Sequence, residues 1–226
     1  MVIVLTKIYI VRHCEALGNV QKLFQGITDL DITENGKSQL EYLTKRFESI
    51  KLDRVYSSPL IRTQKTAKAI IGKKDMNFII NSGLIEINAG IIEGKPFLES
   101  CKKYPKLADA WSNHPEDFAP KNGDTMREVY DRIWNAVKNI AIENKGKTVA
   151  CASHGGAIRC LLCKILYDDI SKLITVPISG NTAVTLIEFD DKFNPSIKFM
   201  NDISHLPEEH RNNMAPIIST VKGVNV

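Results

Sequence analysis

Ile8-Tyr9-Ile10-Val11-Arg12-His13-Cys14-Glu15 decides the reading of this chain. An apolar, β-branched run stops abruptly at Arg12 and His13, and Gly18-Asn19 follows soon after. Such a run reads as a buried strand, and α/β folds place their sites at the carboxyl ends of strands. Thr148-Val149-Ala150-Cys151-Ala152 repeats the design far along the chain and runs into Ser153-His154-Gly155-Gly156. If these two strands are neighbours, His13 and His154 meet at one crevice.

The remaining elements fit around that pair. Residues 12–32 read as a long loop, and a loop of that length in a compact domain usually has a functional reason. Thr33 caps a helix over about 34–49, with Leu40, Leu43, Phe47 and Ile50 at helical spacing. Arg54-Val55-Tyr56 is a short strand. Ser57-Ser58-Pro59 opens a helix over about 59–72, with Pro59 in its first turn and Gly72 near its stop. Arg62 then lies in a first turn, where a cation opposes the helix dipole, so a local stability reason is unsatisfactory. Phe78-Ile79-Ile80 is a third strand. An insertion of short helices and loops over about 88–122 is expected to cover one end of the sheet, with Trp111 packed inward. Thr125 and Glu128 form a capping box for a helix to about Asn144. A strand at 148–152, a helix over 156–166, and a hairpin from 184–189 and 196–200 complete the pattern. Strands alternating with helices predict an α/β fold in three layers, with a mostly parallel central sheet flanked by helices. Without repeats or linkers the chain reads as one domain over 1–226, with a loosely held tail from about 206 to 226.

Composition narrows the function classes. With 43% hydrophobic and 25% charged residues among 226, a sizeable core forms and wholesale disorder is excluded. The net charge of +4 comes from Lys and Arg interleaved with Asp and Glu, which is no nucleic-acid signature but suits a small anionic substrate. The first seven residues lack the charged and apolar regions of a signal peptide. No apolar run approaches the ~20 residues of a membrane helix. Five cysteines, an odd number, with Cys151 in a buried strand, predict a reduced, cytoplasmic protein with no membrane contact.

Suppose Arg12, His13, Arg62 and His154 converge. Two guanidiniums and two imidazoles repel one another unless an anion fills the space, and arginine matches phosphate in a bidentate fork. Positive neighbours depress an imidazole pKa and leave a nucleophilic nitrogen near neutral pH. An imidazole beside a clamped phosphoryl group attacks phosphorus and forms phosphohistidine. Glu86, set between Ile85 and Ile87, reads as a carboxyl in an apolar setting that protonates the leaving oxygen and then activates water. The guanidiniums supply the neutralising charge, so no metal or other cofactor is expected.

These residues resemble the histidine phosphatase superfamily, in its phosphoglycerate mutase-like branch. Arg12-His13-Cys14-Glu15 is similar to its Arg-His-Gly-Glu signature, and Ser57 to Ala67 to its second arginine motif. Leu84-Ile85-Glu86-Ile87-Asn88, with Gly90 and Glu93-Gly94, resembles its acid/base loop. Ser153-His154-Gly155-Gly156 resembles its second histidine motif, and Asn201-Asp202 with His205-Leu206 its closing segment. The likeness runs in order from about residue 7 to 206. It implies a phosphoglycerate mutase-like fold and His13 as the phosphorylated nucleophile. It further implies Arg12, Arg62, His154 and Asn19 as phosphate ligands, and Glu86 as proton donor. The activity implied is that of a phosphoric monoester hydrolase acting on a small phosphorylated metabolite, with a homodimer as a common assembly. Cys14 departs from the family's glycine. Ala89, Ile91 and Ile92 depart from the larger or acidic residues around the acid loop, which touches substrate contacts.

Other readings stand beside this one. A bisphosphoglycerate-primed mutase uses the same residues, and a silent phospho-ligand-binding protein would bind without turnover. Glu93 either shares the acid role or bonds to backbone amides. Asp124 and Thr125 are explained by helix capping, and His114 and His205 read as surface or structural groups. Cys160 and Cys163 share one helix face and read as core.

Overall fold

The strand expected near the head of the chain forms as β1 (Thr6–Arg12) and lies inside the sheet. The computed structural model describes residues 5–211. In chain order there follow a single-turn helix α1 (Leu17–Val20), α2 (Glu34–Glu48), β2 (Arg54–Ser57), α3 (Ile61–Ile71) and β3 (Phe78–Ile80). Then come α4 (Phe97–Lys103), α5 (Pro105–Asn113), α6 (Met126–Glu143), β4 (Thr148–Ser153), α7 (Gly155–Tyr167), β5 (Val184–Phe189) and β6 (Pro195–Asp202).

The sheet order is β3-β2-β4-β1-β5-β6. The first four strands are parallel, while β5 runs against β1 and β6 against β5. A sheet covered on both faces needs strands that are apolar on both faces. The central strands meet that need. Ile8, Ile10, Val149 and Cys151 pack into the core shared with α6 and α7. Val11, Ala150 and Ala152 pack with Leu43 and Phe47 of α2 and Ala67 and Ile70 of α3. The three layers are therefore α2/α3, sheet, and α6/α7.

β1 and β4 are neighbours, with Arg12 opposite Ser153. His13 and His154, each one residue further on, therefore leave the sheet side by side. The caps also form. Thr33 Oγ1 accepts from Gly36 N, and Thr125 and Glu128 bond reciprocally at the start of α6. α3 starts two residues later than Pro59 suggests, because Leu60 is extended and serves as the N-cap. The turn before it is held by Ser58, whose carbonyl accepts from Thr63 Oγ1 (3.0 Å).

The insertion is two short helices, α4 and α5, anchored on the loop after α1. Phe24 of that loop packs on Phe97, Trp111 and Phe118 with ring centroids 4.7–6.0 Å apart. Residues 206–211 pack against α2. Leu206 is buried, Gln39 Nε2 donates to the His210 carbonyl (2.8 Å), and His210 Nδ1 lies 2.7 Å from Asn35 Oδ1. Side chains of α2 capture this stretch, which polarity and prolines alone do not reveal. The rest of the expected tail, and residues 1–4, lie outside the described residues. Among the described residues no helix is long and apolar enough to cross a membrane.

Candidate active site

β1 and β4 deliver Arg12, His13 and His154, and α3 delivers Arg62 from its first turn. All four are buried. The two imidazole rings stand 5.3 Å apart between centroids, inclined at 57°. Burial first, and then the charges of Arg62 and Arg12, hold the His13 pKa well below the ordinary imidazole range. His154 is lowered in the same order, by burial and then Arg62, with His13 and Arg12 adding. The expected direction holds, although burial outweighs the positive neighbours. Burial also lowers Arg12, to about 10, against the opposing pull of Glu86.

Hydrogen bonds fix the proton on His13. Its Nδ1 lies 2.6 Å from the Cys14 carbonyl, which only accepts. Nδ1 therefore carries the hydrogen, and a neutral ring keeps its lone pair at Nε2. The His13 carbonyl is held from behind by Asn181 Nδ2 (3.0 Å) and Thr182 N (3.3 Å). His154 Nε2 lies 2.7 Å from Ser58 Oγ, and Leu60 N–H donates to that oxygen (3.4 Å). The Ser58 hydroxyl thus occupies Nε2, which leaves Nδ1 as the ring's other polar atom. That Nδ1 is buried without a partner, as is Nε of Arg62. The other ends of Arg62 are tied down: Nη1 donates to Thr28 O (2.9 Å) and Nη2 to Gly26 O (2.6 Å). Arg12 Nη1 donates to the Ser179 carbonyl.

Glu86 joins the group by a route that its apolar neighbours in sequence do not suggest. Oε2 accepts from Gly156 N (2.8 Å), and Oε1 from Ala157 N (2.9 Å) and its own neighbour Ile87 N (3.0 Å). The apolar setting expected for it is thus corrected: the carboxyl sits on the N-terminus of α7. Gly155-Gly156 makes room for this. A Cβ on Gly155 would stand 3.2 Å from Arg12 Nε, and one on Gly156 would stand 2.7 Å from Glu86 Oε1.

Other candidates divide clearly. Glu93 bonds to backbone amides: Oε1 accepts from Gly26 N (3.0 Å) and Thr28 N (2.8 Å), and Oε2 from Ala89 N (2.8 Å). It thereby fixes the two residues whose carbonyls hold Arg62. Asn19 Oδ1 accepts from Ala16 N (3.0 Å) and lies 3.5 Å from Asn181 Nδ2. Cys14 has an ordinary backbone conformation, so no glycine is required there, and burial pushes its thiol up to about 12. His114 is exposed, and His205 is held by Arg46 and Thr182. Cys160 and Cys163 are buried in the core. Among the described residues no three His, Cys, Asp or Glu side chains gather as metal ligands.

Gln25 and Arg132 escaped the sequence reading, which took Asp124 for helix capping alone. A Cβ on Gly18 would stand 2.4 Å from Gln25 Oε1, so this carboxamide lies against α1, and both of its polar atoms are buried without partners. Its place just before Gly26 was the available signal. Asp124 does more than precede a cap, as its contacts with Asn88 and Arg132 show.

An anion-shaped group of two arginines, two neutral imidazoles and one carboxyl, at the ends of adjacent parallel strands, is matched along the chain by a family model. Residues 8–203 fit the Histidine phosphatase superfamily (branch 1). The chain belongs to that family. It is 30% identical over 204 residues to Phosphoserine phosphatase 1 of Hydrogenobacter thermophilus, covering 90% of this chain and 96% of that one. Its fold matches that of YhfR from Bacillus stearothermophilus with a TM-score of 0.85 and 30% identity, over 88% of this chain and 98% of that chain. It also matches a mutant phosphoserine phosphatase from Entamoeba histolytica, solved in complex with phosphoserine. There the TM-score is 0.76 and the identity 27%, over 89% of this chain and all of that one (100%).

Proposed function

We propose that this chain is a phosphomonoesterase that cleaves a small phosphorylated metabolite, phosphoserine first among candidates, through phosphohistidine on His13. The observation that carries the reading is the fixed tautomer of His13: Nδ1 is spent on Cys14 O, so Nε2 is the free nucleophile beside His154.

Arg62 Nε–H, His154 Nδ1 and the Gln25 carboxamide are buried polar groups in want of partners. Phosphate oxygens accept from Arg62 Nε–H and the Gln25 amide nitrogen, and from His154 in the tautomer that carries its hydrogen on Nδ1, and Arg12 and Asn19 complete the clamp. His13 Nε2 attacks phosphorus as the ester P–O bond breaks, and that bond's electron pair goes to the leaving oxygen. A serine-type alkoxide is a poor leaving group and needs a proton, which Glu86 delivers. A monoester retains one proton up to about pH 6, so the substrate itself brings a proton that Glu86 passes on. Water, deprotonated by Glu86, then attacks the phosphohistidine and releases phosphate. The relatives named above as phosphoserine phosphatases support hydrolysis and the choice of substrate. Five free cysteines, four of them buried, fit the reducing cytoplasm we assign to it. β3 is an open sheet edge with Ile79 and Ile80 exposed, and it is the face we assign to a homodimer.

The test is phosphate release from phosphoserine and p-nitrophenyl phosphate in EDTA, native protein against His13→Ala. Turnover that disappears in the variant supports the reading. Absence of turnover by the native protein, with phosphate exchange between 3-phosphoglycerate and a bisphosphoglycerate primer, replaces it with a mutase.

A further inference from the structure

Residues 85–89, which carry Glu86, belong to no helix or strand, so no backbone ladder holds them. Side chains take over that task. Arg132 of α6 donates from Nη2 to both the Ile85 and Glu86 carbonyls (3.1 Å each) and from Nη1 to Asp124 Oδ2 (2.9 Å). The same Asp124 oxygen accepts from Asn88 N (3.0 Å), and Asp124 N donates to Asn88 O (2.8 Å). The loop is thus tied on both sides of Glu86 to the start of α6. On its far side the carboxyl is tied to α7.

We infer that Arg132 and Asp124 are positioning residues for the proton donor Glu86: they set the height of its backbone so that its carboxyl reaches the leaving oxygen. Neither touches His13, so the attack itself does not depend on them. This rests on the role proposed for Glu86.

Leaving groups separate this role from a merely structural one. A p-nitrophenolate departs without protonation, whereas a serine alkoxide does not. kcat/KM reports events up to phosphoryl transfer and excludes the later hydrolysis of phosphohistidine. Arg132→Met is expected to lower kcat/KM for phosphoserine on the order of 30-fold, and for p-nitrophenyl phosphate by about threefold or less. Asp124→Asn keeps the shape and should show the same selectivity at smaller size, which serves if Arg132→Met does not fold. Glu86→Gln is the reference, and adding Arg132→Met or Asp124→Asn to it should cost phosphoserine turnover nothing further. Equal losses on both substrates, no loss on either, or additive losses in the double variants overturn the positioning role. If Glu86→Gln itself fails to discriminate between the substrates, the acid assignment falls, and the positioning role falls with it. Retained discrimination in Glu86→Gln with none in the clamp variants sinks the clamp alone.

Discussion

Gly156→Ala separates activity from stability at a single methyl group. The added Cβ would stand 2.7 Å from Glu86 Oε1, 3.2 Å from its Cδ and 3.3 Å from Oε2. Restoring an ordinary 3.4 Å contact means moving Oε1, which Ala157 N binds at 2.9 Å, by about 0.7 Å. The colliding atoms are the end of a flexible side chain, so the fold itself gives way cheaply. Gly156 also lies in the first turn of α7, where alanine is the better helix former by as much as about 1 kcal/mol. Unfolding free energy in urea should therefore stay within about 1 kcal/mol of the native value. Catalysis should not be spared, because displacements approaching 1 Å in an acid–base group cost on the order of 100-fold. The expected result is a fall of roughly 30- to 100-fold in kcat/KM for phosphoserine with a native unfolding curve. Native activity in Gly156→Ala would refute the placement of Glu86 as the working carboxyl. A loss of activity matched by a loss of several kcal/mol would show that the methyl disrupts the helix rather than the acid.

Three further outcomes follow from the same contacts. Both imidazoles are depressed, so the unfolded chain binds protons that the folded one refuses. Stability of the anion-free protein should therefore fall as pH drops below about 6.5, by up to ~1.4 kcal/mol per unit for each histidine, until the folded rings protonate. Urea unfolding at pH 7.5 and 5.5 measures this, and a flat profile contradicts the burial of neutral rings. Glu93→Gln puts an amide donor against backbone N–H groups and should cost about 2 kcal/mol of stability. Because Gly26 and Thr28 hold Arg62, KM should also rise, and an unchanged KM would uncouple Glu93 from that arginine. Cys14→Gly removes a fully buried side chain from an ordinary backbone position, and should cost about 1–3 kcal/mol by thermal unfolding. The bond from His13 Nδ1 to the carbonyl at position 14 is a backbone bond, so the variant should still be phosphorylated on His13 by substrate.

The sequence made the frame of the site readable because buried strands announce themselves. Ile8 to Val11 and Val149 to Ala152 are apolar on both faces, which predicts two covered strands, and a histidine after each predicts a shared crevice. Arg62 stood out because a cation in a first helical turn has no local benefit. What stayed hidden depends on contacts between distant segments. Glu86 reads as an apolar-site carboxyl from its two isoleucine neighbours, yet Gly156 and Ala157, 70 and 71 positions away, surround it with amides. Gln39 and Asn35 hold residues 206–211 by bonds spanning more than 170 residues, and nothing local signals them. Arg132 lies on an ordinary amphipathic helix, and only the fold brings its guanidinium to two loop carbonyls.

The N-terminus of α7 explains why Gly155 and Gly156 are both small. Arg12 lies against the first, and Glu86 against the second. A cation beside a helix N-terminus is unfavourable by itself, and a carboxyl there is favourable. The two groups oppose each other in charge: Glu86 draws the Arg12 pKa back up against burial. Glu86 thus stabilises the arginine that would clamp phosphate while sitting where it would serve the leaving oxygen. Replacing Glu86 by Gln would remove that offset as well as the proton. Phosphate affinity should therefore change along with turnover in that variant, whereas Gly156→Ala, which keeps the charge, should lower turnover and leave orthophosphate affinity near native.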